Sequence, residues 1–292
     1  MSKSTNKFAN VATTSEVFGQ KVKHWPEPAP LSEHGNARII AVVNQKGGVG
    51  KTTTTINLGA SLAELGRKVL LVDFDPQGAL SVGLGVATHE LERSVYHLLL
   101  DRTASIDQVL LKTSVPGMDL LPSDITLSGA EVSLVNEVAR EQTLARVLEP
   151  AVGEYDFILI DCQPSLGLLT VNALTAADSV IVPLECEYFA LRGVKLLMEI
   201  IQKVQERLNP QLEVDGILAT MFDSRTLHSR EVLSRIAEAF PERVFETVIS
   251  RTVRFPETTV AGEPITTYAS SSDGAAAYRR LARELLAKGA QK

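Results

Sequence analysis

Nine residues restrict the fold of this chain more than any others: Asn44-Gln45-Lys46-Gly47-Gly48-Val49-Gly50-Lys51-Thr52. They follow an apolar run that reads as a strand and open a segment that reads as a helix, the setting a phosphate-cradling loop requires. Glycines let backbone N–H groups wrap closely round a β-phosphate, and the helix N-terminus adds a favourable dipole. Lys51 is placed to reach the β- and γ-phosphates and the Thr52 hydroxyl to bind Mg²⁺, with Gly47, Gly48, Val49, Gly50 and Thr53 completing the cradle. The bland alternative is a glycine-rich turn with no ligand. Strand, loop, Lys-Thr and helix in register argue against it.

From residue 38 onward, short apolar runs alternate with helical patterns, which is the signature of repeated βαβ units. Strands are predicted at 38–44, 68–73, 118–122, 156–161, 179–183 and 214–220, and helices at 51–65, 127–148, 191–208, 229–240 and 274–287. Several strands are apolar throughout rather than alternately, as strands covered on both faces should be. The expected fold is therefore α/β: a doubly wound, mostly parallel sheet with helices on both faces. Residues 38–292 read as one domain, and residues 1–37 as a flexible N-terminal arm whose Trp25-Pro26-Glu27-Pro28-Ala29-Pro30 segment favours extended backbone. Trp25 can be a docking contact onto the body or an anchor for a partner, with docking the commoner case.

With 292 residues and 45% hydrophobic composition the chain can bury a proper core. Two cysteines, Cys162 and Cys186, are too few for a disulfide framework and fit a reducing, cytoplasmic setting. The first residues lack an apolar h-region, and no apolar run approaches the roughly 20 residues that span a bilayer. A net charge of −6 excludes a protein coated in positive charge, so any nucleic-acid site must be a local patch.

Two further segments end apolar strands in acids. Val69-Leu70-Leu71-Val72-Asp73-Phe74-Asp75-Pro76-Gln77-Gly78 points Asp73 and Asp75 into the crevice at a strand's carboxyl end, and Phe157-Ile158-Leu159-Ile160-Asp161 does the same with Asp161. Alone, any buried strand ending in Asp matches the second pattern. After the phosphate loop it fits a carboxylate that holds Mg²⁺ through water. Asp73 can equally be a strand end that caps a turn.

Gln45 stands where the common motif has its first glycine, and Lys46 is an added cation. In this the chain resembles the deviant Walker A group of P-loop ATPases, which includes the ParA and MinD families and the nitrogenase iron protein. The resemblance continues through the Asp73–Gln77 run, Pro183 to Leu191 and Thr220 to Arg225, and covers nearly everything from Arg38 onward. It implies ATP and Mg²⁺ as ligands and a homodimer that forms on ATP binding, in which Lys46 reaches the partner's phosphates and Gly47 lies close to the facing subunit. It implies that Asp75 orients the attacking water, that Asp73 supports the same site, and that the base lies near Met221 and Asp223. No Asn-Lys-x-Asp occurs to read guanine, so ATP is expected rather than GTP. Gln163 departs from the ParA pattern, which has proline there, and the two cysteines do not match the cluster ligands of the iron protein.

The segment Ser250-Arg251-Thr252-Val253-Arg254-Phe255-Pro256-Glu257 resembles the ParA stretch whose arginines help form a sequence-independent DNA surface, extended here by Arg225 and Arg230. Arg251 and Arg254 in surface ion pairs are the alternative. Arg279 and Arg280 read as a solvated helix face. The resemblance further implies a ParB-like activator, nucleoid association and a role in chromosome or plasmid partition. A MinD-like or orphan ATPase that positions the division machinery is the competing reading, but the short, Ala-rich, mixed-charge end from Leu281 onward argues against a stable membrane anchor. Relatives that activate a small substrate with ATP would need an added substrate domain, for which there is no room.

Overall fold

The computed structural model describes residues 11–187 and 190–289. Seven strands, β1 (Arg38–Val42), β2 (Val69–Phe74), β3 (Leu111–Lys112), β4 (Met118–Leu121), β5 (Phe157–Cys162), β6 (Ser179–Glu185) and β7 (Glu213–Thr220), form one sheet in the order β3-β4-β2-β5-β1-β6-β7. Every pairing is parallel except the short antiparallel edge of β3 on β4. The continuous apolar runs of β1, β2, β5 and β6 are covered on both faces, and the core forms two large clusters, one on each side of the sheet, with a smaller third around Phe222, Leu233 and Val248.

Among the described residues twelve α-helices surround it: α1 (Thr14–Val17), α2 (Lys51–Glu64), α3 (Ala79–Gly83), α4 (Val95–Leu100), α5 (Ser128–Leu134), α6 (Thr143–Val152), α7 (Leu168–Ala176), α8 (Ala190–Arg207), α9 (Leu227–Ala239), α10 (Arg254–Ala261), α11 (Ile265–Tyr268) and α12 (Asp273–Gly289). The C-terminal helix α12 packs against α2, burying Tyr278, Leu281 and Leu285. Each such leucine contributes roughly 1.5–3 kcal/mol. The Tyr278 hydroxyl meets that of Thr54 at 3.2 Å. No helix among the described residues is long and apolar enough to cross a membrane.

Three expectations need correction. First, the helix expected over 127–148 is broken: Ala139 adopts a left-handed φ of 53°, and the Arg140 guanidinium caps the carbonyl of Val135 at 2.7 Å. The apolar pattern runs through the break, and the reversal is made by an alanine, so no glycine or proline announces it. Secondly, the described part of the leader is not a free arm. Thr13 caps α1 in a capping box, the Thr14 and Ser15 hydroxyls donate to the buried Glu246 carboxylate at 3.0 and 2.9 Å, and Thr13 bridges Thr247. Further along, Arg280 donates to the Lys23 carbonyl, Arg67 to the Ala29 carbonyl, and His34 meets Asp156. Trp25 lies half-buried on the body. Thirdly, Arg280 is buried beside Glu246 at 3.7 Å, and Arg279 forms a two-pronged pair with Glu64, so neither belongs to a simple solvated face.

Candidate active site

The phosphate loop leaves β1 at the centre of the sheet, between β5 and β6, where an open α/β sheet offers its crevice. Two side chains fasten it to neighbouring strand ends. Asn44 Nδ2 donates to the Pro183 carbonyl on β6 at 2.7 Å, and the Thr220 hydroxyl at the end of β7 donates to the Val49 carbonyl at 2.8 Å. Gly50 begins α2 with φ 84°, a conformation that favours glycine. Gly47 has no such requirement, and a Cβ there would meet nothing within 4 Å of its own chain.

The two lysines of the loop have different environments. Lys51 is buried, and its ammonium donates to the Lys46 carbonyl at 3.1 Å, closing the loop on itself. Burial lowers its pKa against the opposing pull of Asp161, Cys162 and Asp75. Lys46 is half exposed and pairs with Glu185 at 3.0 Å and with Glu187. Desolvation lowers its pKa, but hydrogen bonds to Glu187 and Glu185 outweigh this and the net shift is upward.

Three acids gather opposite. Asp73 and Asp161 are register partners on β2 and β5, so their side chains share one end of the sheet. Asp161 accepts from the Thr52 hydroxyl at 2.7 Å and from Thr55 at 3.3 Å. Burial, and then the charge of Asp73, push it up to about 8. Asp73 accepts from the Ser81 backbone and hydroxyl at 2.8 and 2.7 Å and from the Asp75 backbone at 3.4 Å, and burial raises it to about 6. Asp73 thus supports the turn that carries Asp75. Asp75 accepts from the Gln77 backbone at 2.9 Å through Oδ1, leaving Oδ2 without a protein donor among the described residues.

This arrangement suits a cation that brings its own oxygen ligands. Asp161 and Asp73 are adjacent buried carboxyls whose ionised forms are disfavoured without a counter-charge, and the Thr52 hydroxyl lies against Asp161. Among the described residues no group of three or more His, Cys, Asp or Glu could hold a metal by itself. Mg²⁺ prefers such a site, with few protein ligands, water and phosphate oxygens.

At the end of β7 the chain turns through Met221 at φ 49°. Asp223, two residues on, accepts from both ends of the Arg225 guanidinium at 2.9 Å, which holds its carboxyl well below the usual range. Thr220, which precedes Met221, is the residue of this turn that contacts the phosphate loop. Arg251 pairs with Glu185 and Arg254 with Glu257, both at 2.9 Å. Arg225, Arg251 and Arg254 are all exposed, and each is matched by an acid. Gln163 donates to Glu131 on α5 at 3.1 Å, tying the turn after Asp161 to that helix. Cys162 and Cys186 are buried free thiols; burial raises Cys162 strongly and Cys186 to about 12.

Sequence reasoning missed Thr55, Ser81, Thr220, Glu185 and Glu187 as parts of the site. Thr55 is the only one with a local signal, lying one helical turn after Thr52 on the same face.

With this geometry in hand, the comparisons with known proteins are decisive. A family model described as an AAA domain matches residues 37–214. The sporulation initiation inhibitor protein Soj of Bacillus subtilis is 48% identical, over 86% of this chain and 99% of its own length. The chain belongs to the ParA/Soj family of P-loop ATPases. The chromosome partitioning protein ParA of Caulobacter vibrioides is 45% identical, over 86% of this chain and 94% of its own. Among solved structures, a Mycobacterium smegmatis protein called cobyrinic acid a,c-diamide synthase, with bound ATP analogue and magnesium, superposes with a TM-score of 0.78. It is 44% identical, over 87% of this chain and 96% of its own. The ParA/Soj assignment bears out the fold and the family read from the loop.

Proposed function

We propose that this chain is an ATP-dependent switch: two copies close around two ATP molecules, the closed pair holds DNA without sequence preference, and hydrolysis reopens it. The observation that carries the reading is the pair of lysines on one loop. Lys51 lies inside the cradle, where turning its ammonium off the Lys46 carbonyl brings it to a triphosphate in the same subunit. Lys46 is held outside the cradle by Glu185 and Glu187, where it is available to a neighbour. Two triphosphates face to face need more neutralisation than one subunit supplies, which is the physical reason for a lysine acting across the interface. The open space at Gly47 fits a facing backbone.

Thr52 and Asp161 would hold Mg²⁺, which neutralises charge on the β- and γ-phosphate oxygens. Asp75 offers its free Oδ2 to orient the attacking water, and Asp73 fixes the turn that aims it. Met221 and Asp223 lie toward the base. Arg225, Arg251 and Arg254, taken off their acids, supply phosphate contacts that double when two copies join.

The relatives named for chromosome partitioning support partition as the biological role, with a ParB-like activator that raises slow hydrolysis. The name of the Mycobacterium smegmatis protein supports a second reading, ATP-driven amidation of a small substrate. Partition is favoured because every described strand belongs to one sheet, with no separate substrate domain among the described residues. Co-sedimentation with DNA in ATP, in ADP and without nucleotide, beside liposomes, tests the proposal. Retention by DNA only with ATP is expected. Retention by liposomes would favour a membrane-recruited positioning ATPase, and hydrolysis that requires cobyrinic acid would favour the amidation reading.

A further inference from the structure

Glu185 is the last residue of β6, and its side chain is only 13% exposed. It stands in register with Thr220, whose hydroxyl holds the phosphate loop. The strand therefore fixes its carboxylate, unlike a carboxylate on a mobile tail. The two oxygens face different ways: Oε2 accepts from Lys46 at 3.0 Å and Oε1 from Arg251 at 2.9 Å. Glu187 is a second acid on Lys46. Together, Lys46, Arg251, Glu185 and Glu187 carry two positive and two negative charges, so the cluster is neutral in the single subunit.

We propose that Glu185 is a positioning residue that restrains both halves of the switch, one oxygen holding the lysine meant for the partner's triphosphate and the other an arginine meant for DNA. The inference rests on the function proposed above and adds its regulation. A phosphate approaching either cation meets no net positive charge until Glu185 is displaced, so the carboxylate sets a threshold for closing and for DNA capture. Glu187 hydrogen-bonds Lys46 and feels Arg251 only through its charge, so it restrains closing more than DNA capture. Exposed pairs of this kind are weak individually, so the restraint is graded and does not lock the switch.

The test uses the full chain and five variants: Glu185→Gln, Glu185→Asp, Glu187→Gln, Lys46→Ala and Arg251→Ala. Sedimentation velocity gives the concentration of a non-hydrolysable ATP analogue at half-dimerisation. Anisotropy of labelled duplex DNA at fixed salt, with the analogue saturating, gives DNA affinity separately. Glu185→Gln is expected to lower the half-dimerisation concentration and to tighten DNA binding, each about two- to fivefold. Glu187→Gln should shift dimerisation more than DNA affinity, and Glu185→Asp should behave more like wild type than Glu185→Gln does. The inference is overturned if Glu185→Gln leaves either quantity unchanged or moves it the other way, while Lys46→Ala abolishes dimerisation and Arg251→Ala weakens DNA binding. If Lys46→Ala dimerises normally, or Arg251→Ala binds DNA normally, the functional reading itself fails. A shared melting temperature for wild type and Glu185→Gln excludes misfolding as the cause.

Discussion

Asp161 and Asp73 lie side by side on β5 and β2, raised by burial to about 8 and about 6, with the Asp73 charge adding to the shift at Asp161. A carboxyl whose folded pKa lies above its unfolded value binds more protons when folded, so stability falls as pH rises. Without nucleotide, these two groups should stabilise the fold fully below about pH 4. That contribution should be lost progressively to about pH 6 for Asp73 and pH 8 for Asp161. Thermal melts of the nucleotide-free protein at several pH values check this. Asp161→Asn should flatten the trend and raise stability at pH 8 by on the order of 2 kcal/mol, while weakening Mg²⁺-nucleotide binding. Asp75→Ala is expected to keep ATP-dependent dimerisation but lose about 10²–10⁴ in turnover, as measured by phosphate release. Undiminished hydrolysis would remove Asp75 from its role. Lys51, Thr52 and Asp161 were legible in the sequence because one loop and one strand end carry them. The groups that hold their surroundings, Thr220 on the Val49 carbonyl, Glu185 on Lys46 and Ser81 on Asp73, come from other strand ends or the next helix, and only the fold brings them there.

Among the elements, the leader departs most from what its composition suggested. Prolines and small polar residues give it no periodicity, yet Thr14 and Ser15 supply hydroxyls to a buried carboxylate 231 or more residues away. No sequence pattern marks such a long-range match, just as none marks the left-handed alanine that divides α5 from α6. The strands β1, β2, β5 and β6, in contrast, were legible because their apolar runs are covered on both faces, whereas the two-residue edge strand β3, partly exposed, was not predicted. Removing both hydroxyls, Thr14→Val with Ser15→Ala, leaves Glu246 with fewer donors. It should cost about 1–3 kcal/mol in urea unfolding and speed hydrogen exchange over residues 11–18. Unchanged exchange would mean that the leader is held by its other contacts. Gly47→Val gives a second contrast. A side chain there meets open space in the single subunit, so the unfolding free energy should stay within about 0.5 kcal/mol of wild type while ATP-dependent dimerisation is lost. A variant that is destabilised as a monomer would contradict this.

For the whole molecule, a net charge of −6 and three arginines already paired with acids make DNA binding by one subunit weak. Joining two copies doubles the available contacts, and each phosphate contact contributes about −0.9 to the slope of log affinity against log salt. The ATP-bound form should therefore show a steeper salt dependence than the ADP form, and Arg254→Glu should weaken binding and reduce that slope. All of this depends on Lys46 serving a neighbour. The most direct measurement is the mass in solution, by light scattering or sedimentation, with Mg²⁺ and a non-hydrolysable ATP analogue at saturation. The 31.6 kDa chain should double to about 63 kDa, and Lys46→Ala should not. A wild-type protein that binds the analogue and stays at 31.6 kDa would contradict the account.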